Sequence, residues 1–353
     1  MRTVRSASLL GGLWLGALAW LIPAALLTLI VLTVLSALHA ERRSPPLPPN
    51  PALGEFPRTI LTDGGGKVVV RARPMRIVAG DAAAADVLAA LVEPGRIAAV
   101  PAQVASYAGS AEFYAQQPQI ARFEKYTTET LLALKPDLVL ATSFHDSGAS
   151  RLLEAQGAAV LTFGMYSTFD GIRGWILAVG SAVGEDARAR ALIADFDARL
   201  RAVDAAVAGR PRPRALSYSN FSQGYAAARD TSQDEILRRA GALNAAEEMN
   251  LSGFVPFTFE QMLKLKPDCL VLCGDEGLHS RQVRIILNTS SLAQLPAVRE
   301  RRFAVVPERY YTCVSQYVVD AVELLARQLH PAAFPDGSGS QAVGAPAPRS
   351  PPP

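Results

Sequence analysis

The chain is poor in the residues that staple, charge or metallate a protein. Three cysteines in 353 residues are too few for a disulfide framework. None of them falls in the C-x2-C spacing of a zinc site. Four histidines leave a bare transition-metal site of three or four His and carboxylate ligands poorly supplied. Charged residues make up 19% of the chain, with a net charge of +3 and no long basic run. Nucleic acid is therefore not expected as a partner. With 50% hydrophobic residues, the chain is too apolar to be disordered. Its 26 glycines lack the G-X-Y period of collagen. No phosphate loop, H-E-x-x-H or G-x-S-x-G is present. The Gly180–Gly184 stretch has alanine where a nucleophile would stand. Gly64–Gly66 sits in a turn, with no helix behind it to hold phosphate. No catalytic residue is marked, and no enzyme is expected.

What is present begins with a hydrophobic N-terminus. Arg2 and Arg5 precede an apolar run from Ser6 to Leu38, and the next charge is Glu41. The run exceeds the roughly 20 residues that a spanning helix needs and the 7–15 of a secretory h-region. Leu38-His39-Ala40 is a poor cleavage site. Residues 1–43 are read as an uncleaved signal anchor, a transmembrane helix that holds the chain at the cell membrane. The globular part is expected to face the periplasm or cell exterior. Residues 44–58 are a proline-rich linker, and 333–353 a Pro, Gly, Ser and Ala tail expected to be disordered.

Between these ends, strand and helix patterns alternate. Short apolar runs at 75–79, 97–100, 138–142 and 159–163 are separated by helical stretches, and the same order restarts at 214. This βαβα order predicts mainly parallel sheets covered on both faces. Thr168 to Val207 reads as an almost unbroken helix, divided at most at Gly180 or Gly184. At about 40 residues it would run about 60 Å. A repeat then fixes the architecture. TTETLLALKPDLVLA at 127–141 recurs as TFEQMLKLKPDCLVL at 258–272. Glu129 matches Glu260, and Lys135-Pro136-Asp137 matches Lys266-Pro267-Asp268. The glutamate suits a helix N-terminus. The residue before proline leaves the α region and ends the helix. A buried strand follows. Two such copies imply two α/β lobes, 59–167 and 210–332, joined by a backbone helix at 168–209.

These segments resemble the periplasmic substrate-binding proteins of iron-siderophore, haem and vitamin B12 ABC importers. LTDGGGKVVVRARPMRIVAGDAAAADVLAAL at 61–91 is similar to the family's opening hairpin, first strand and first helix. GYAAARDTSQDEILRRAGALNAA at 224–246 and VVPERYYTCVSQYVVDAVELLARQLHP at 305–331 are similar to its C-lobe segments. The resemblance implies two Rossmann-like lobes that enclose a ligand in the cleft between them, with only a small hinge motion. It implies a monomer with no intrinsic cofactor, whose ligand is a ferric-siderophore, haem or cobalamin. Its partners would be an ABC permease and ATPase, docked through Glu129 and Glu260. The anchor departs from the usual free or lipidated form. An anchored sensor or scaffold without transport is therefore the alternative.

Ligands of open α/β lobes sit outside the carboxyl ends of the strands. The loops there supply Tyr107, His145, Tyr166, Phe221, Tyr225 and Tyr310, whose rings can line an apolar pocket with polar tips. They also supply Arg229, Arg281 and Arg309, which suit carboxylate, catecholate or propionate groups. His145, Tyr107 and Tyr166 are candidate axial ligands to haem. Cys269 and Cys273 lie too far apart along one strand to pair. Cys273 with Cys313 remains an open pairing.

Overall fold

The computed structural model describes residues 55–62, 66–143, 145, 147–164, 167–220, 224–275 and 277–334. The expected anchor at 1–43 lies outside them. Among the described residues, no helix is long and apolar enough to cross a membrane.

An antiparallel hairpin, β1 (Arg58–Leu61) with β2 (Lys67–Val70), precedes the first lobe. That lobe runs β3 (Ile77–Ala79), α1 (Ala82–Leu91), β4 (Ile97–Pro101), α2 (Val104–Tyr107), α3 (Ala111–Ala115) and β5 (Ala121–Phe123). It continues with α4 (Thr128–Ala133), β6 (Leu138–Thr142), α5 (Ser147–Ala155) and β7 (Ala159–Phe163). Its five strands stand in the order β5-β4-β3-β6-β7, all parallel. Fully buried Ile77, Val78, Leu138, Val139 and Leu140 explain the unbroken apolar runs, since helices cover both faces.

The almost unbroken helical stretch divides at Gly184, one of the two glycines the sequence offered for a break. α6 (Phe169–Val183) ends where Gly184 turns left-handed, at φ 78°, and α7 (Asp186–Val207) starts afresh. Glycine reaches that conformation without a Cβ penalty, which is why the break falls there. The bridging helix α7 therefore has 22 residues and spans about 33 Å. It packs on α1 and α6 of the first half. Its buried Phe196, Leu200 and Val203 each stabilise the seam by roughly 1.5–3 kcal/mol.

The second lobe runs β8 (Arg214–Ser219), β9 (Tyr225–Ala227), α8 (Ser232–Arg239), β10 (Leu243–Asn244), β11 (Phe254–Pro256), α9 (Phe259–Leu265) and β12 (Cys269–Cys273). It closes with α10 (Arg281–Asn288), α11 (Pro296–Arg299), β13 (Phe303–Val306), α12 (Glu308–Tyr311) and α13 (Val318–Leu329). The sheet order is β11-β9-β8-β12-β13, with β10 beside β8. β8, β10, β12 and β13 are parallel. β9 and β11 are antiparallel additions that the sequence pattern did not reveal.

Both helices of the repeat end as expected. Lys135 and Lys266 are left-handed at φ 47° and 49°, ahead of their prolines. One apolar cluster runs from Ile77 and Leu88 through Phe196 to Tyr310 and Leu325, so the lobes share a continuous core. α7 is also pinned electrostatically at its start and in its second half. Arg96 reaches Glu185 at 2.8 Å on the first lobe, and Arg199 reaches Asp320 and Glu323, each at 2.8 Å, on the second. The expected tail starts later than 333, because Phe334 packs on the core with Arg327 over its ring. All three cysteines are free, which removes the Cys273–Cys313 pairing.

Candidate functional site

In the first lobe, the chain leaves β3 toward β4 on one side and β6 toward β7 on the other. Such a reversal opens a crevice at the strands' carboxyl ends. Gly80 follows β3 there, and its N–H donates to the Leu140 carbonyl at 2.7 Å. A Cβ at Gly80 would lie 2.6 Å from that oxygen and 2.9 Å from the His145 ring, so the crevice needs glycine. Asp81 next to it caps α1 by accepting from the Ala84 N–H at 2.7 Å.

His145 stacks on Tyr126 with ring centroids 3.8 Å apart and planes 10° from parallel. Its Nδ1 accepts the Thr142 backbone N–H at 3.0 Å. Burial lowers the ring's pKa, so it is neutral at pH 7, and its proton must sit on Nε2. A ring in this tautomer donates a hydrogen bond from Nε2 and has no lone pair there for iron. Tyr126 was missed from the sequence. Its signal was present: it precedes the cap Thr127 and packs on the cluster holding Leu131, the pattern of a hydrophobic staple.

The second lobe has the matching reversal between β8 and β12. The Asn220 N–H donates to Gln282 Oε1 at 3.1 Å across it. The buried Ser219 hydroxyl has no hydrogen-bond partner among the described residues. Half-buried Tyr225 pairs with Ser219 in the β8–β9 register. Arg281, exposed, opens α10 beyond β12.

The lobes meet where α2 lies against α12. Tyr107 on α2 is 45% exposed. Arg309 on α12 stacks over Tyr310, 5.5 Å from the ring centroid. Its Nε is buried without a hydrogen-bond partner among the described residues. Tyr310 is buried and faces Tyr317 at 6.1 Å, and burial raises its pKa. It therefore works as a wall more than as a contact tip. Leu278, 55% exposed beyond β12, is an apolar residue that the sequence reading did not single out.

The structure thus gathers Tyr107, Arg309 and Tyr310 at the seam, His145 at the first crevice, and Tyr225 and Arg281 at the second. It sends Arg229 elsewhere. β9 runs antiparallel to β8, with Tyr218 opposite Ala226, so the chain has returned toward the start of β8 by residue 229. Arg229 there bonds Asn250 Oδ1 at 2.6 Å. Tyr166 and Phe221 lie outside the described residues. Glu129 and Glu260 stand exposed in the first turns of α4 and α9, two residues past the caps Thr127 and Thr258.

Residues 77–310 match the profile of the periplasmic binding proteins. The chain belongs to that family. The fold of this periplasmic binding protein is shared with solved structures. The haem-binding protein RhuT from Roseiflexus sp. RS-1 is 23% identical, with TM-score 0.62 over 73% of this chain and 98% of that one. The haem-binding protein BhuT, solved in complex with two haems, is 28% identical, with TM-score 0.61 over 73% and 98%. A cobalamin-binding protein of Halobacterium salinarum is 27% identical over 146 residues, spanning 41% of this chain and 40% of the relative.

Proposed function

We propose that this protein is the extracytoplasmic solute-binding component of an ABC importer and that its cargo is a metal chelate. Ferric-siderophore is the leading class, with haem and cobalamin next. The reading is supported most by the cleft itself: two crevices at the carboxyl ends of both sheets, joined by a seam carrying Tyr107 and Arg309. Binding, not turnover, is the mechanism. The ring of Tyr107 offers an apolar face to a chelate. Arg309 and Arg281 offer planar donors to its anionic groups, and His145 offers an Nε2–H. A siderophore or cobalamin brings its metal already coordinated, which suits a histidine that donates and does not ligate. Permease docking, through exposed Glu129 and Glu260 in the first turns of the two repeat helices, would then release the cargo.

Native mass spectrometry of the full-length protein against a ferric hydroxamate, a ferric catecholate, haemin and cyanocobalamin tests the reading. The expected result is a one-to-one complex with one class. A folded sample that binds none of them overturns it and leaves a membrane-anchored sensor or scaffold as the better account.

A further inference from the structure

Asp86, on α1, is 0% exposed, and no cation among the described residues bonds to it. Burial raises its pKa, against the pull of its bonds to Ser110, Cys313 and Ser315. A carboxylate kept in such a place needs a full set of donors, and here the donors divide by lobe. Oδ1 accepts the Ser110 N–H at 2.8 Å and the Ser110 hydroxyl at 2.6 Å. Oδ2 accepts the Ser315 hydroxyl at 2.8 Å, the Cys313 thiol at 3.1 Å and, more weakly, the Gly109 N–H at 3.3 Å. The Asp86 main-chain oxygen accepts from Gln316 Nε2 at 2.8 Å. Its titratable neighbours are Tyr114, Tyr310, Tyr317 and Cys313.

The sequence positions of these donors matter. Gly109 and Ser110 directly follow α2, which carries Tyr107. Cys313 to Gln316 directly follow α12, which carries Arg309 and Tyr310. One carboxylate therefore holds the exits of both helices that wall the seam, one mainly on each oxygen. We infer that Asp86 is an interlobe positioning residue, which couples the Tyr107 wall to the Arg309–Tyr310 wall. A shift of either wall strains the donors on the other. The coupling belongs to the empty chain and holds whichever ligand the cleft takes. Its failure is thus read separately from a failure of the binding proposal.

Hydrogen–deuterium exchange of the full-length protein, without ligand, tests it. Asp86→Asn is expected to speed exchange about tenfold in both 104–112 and 312–317, while β3, β4, β8 and β12 keep their protection. Ser110→Ala is expected to speed exchange about threefold in 312–317, across the lobes, and to add nothing there in the Asp86→Asn background. A folded Asp86→Asn protein with either segment unchanged overturns the inference, as does a Ser110→Ala effect confined to 104–112. If Asp86→Asn fails to fold, Ser315→Ala decides, since the carboxylate and its other donors remain. Faster exchange at 104–112 then supports the coupling, and no change there overturns it.

Discussion

The two copies of the repeat begin alike and end differently. Each starts with a ring ahead of a threonine cap: Tyr126 before Thr127, and Phe257 before Thr258. Each anchors its helix end, by the same device, to the start of the strand that lies beside the one following the helix. Arg76 donates to the Leu134 and Lys135 carbonyls, and Arg214 to those of Leu265 and Lys266. Asp137 and Asp268 then accept main-chain N–H groups at the starts of β3 and β8. Yet Phe257 is wholly buried, while half-buried Tyr126 carries His145 on its face. One unit builds core in the second lobe and a crevice wall in the first. The repeat therefore encodes scaffold, and the site is written on it by single side chains.

Paired substitutions sharpen that comparison. The largest effect is expected at the two ion-pair anchors of α7. Arg96 is nearly buried and also holds the Pro74 and Val183 carbonyls. Arg96→Ala should cost about 3 kcal/mol in urea unfolding, against about 2 kcal/mol for the more exposed Arg199→Ala. Gly80→Ala meets a backbone oxygen, whereas Gly274→Ala meets the Ser280 side chain at 2.5 Å. The former should destabilise by about 3 kcal/mol and the latter by about 1 kcal/mol. Asp137→Ala strips the Met75 and Arg76 N–H groups, and Asp268→Ala strips only that of Arg214. Costs of about 2 and about 1 kcal/mol are expected. Equal costs within any of these pairs would dissolve the asymmetry claimed for it.

A buried acid separates the lobes further. Asp234 on α8 has Arg238 at 3.1 Å, and Asp86 on α1 has no such cation among the described residues. With the folded pKa of Asp86 raised above 3.8, the unfolded chain releases its proton first as pH rises. Stability from this group is thus full below pH 3.8 and declines with rising pH until the folded carboxyl has also ionised. Urea midpoints measured upward from pH 3.5 should show a downward contribution that Asp86→Asn removes. An unchanged pH profile would refute it. The smallest stability effect is expected where the lobes are most alike. Charge reversal at Glu129 and Glu260 should shift stability by under about 1 kcal/mol while abolishing permease binding. Intact binding by the double variant would remove the docking proposal.

Much of this was legible. The runs at 138–142, 159–163 and 269–273 are strands with those bounds, because buried parallel strands are apolar throughout. The Lys-Pro helix ends were equally plain. The break at Gly184 was less so, since a glycine inside a helical pattern does not say whether the helix stops. β9 and β11 are three residues each, too short for a period to show. That is why Arg229 was assigned to the cleft.

The sequence by itself determined two α/β lobes and the helical bridge between them. Those follow from local periodicity, helix-ending Lys-Pro steps and a repeated segment. Only the tertiary structure decided which side chains meet. The Nδ1 bond of His145, the return of β9 that carries Arg229 away, and the donors that reach Asp86 from 227–230 residues further along the chain depend on strand order and packing. Such contacts leave no mark on the residues next to them in sequence, because the free energy that selects them comes from partners the local chain does not contain.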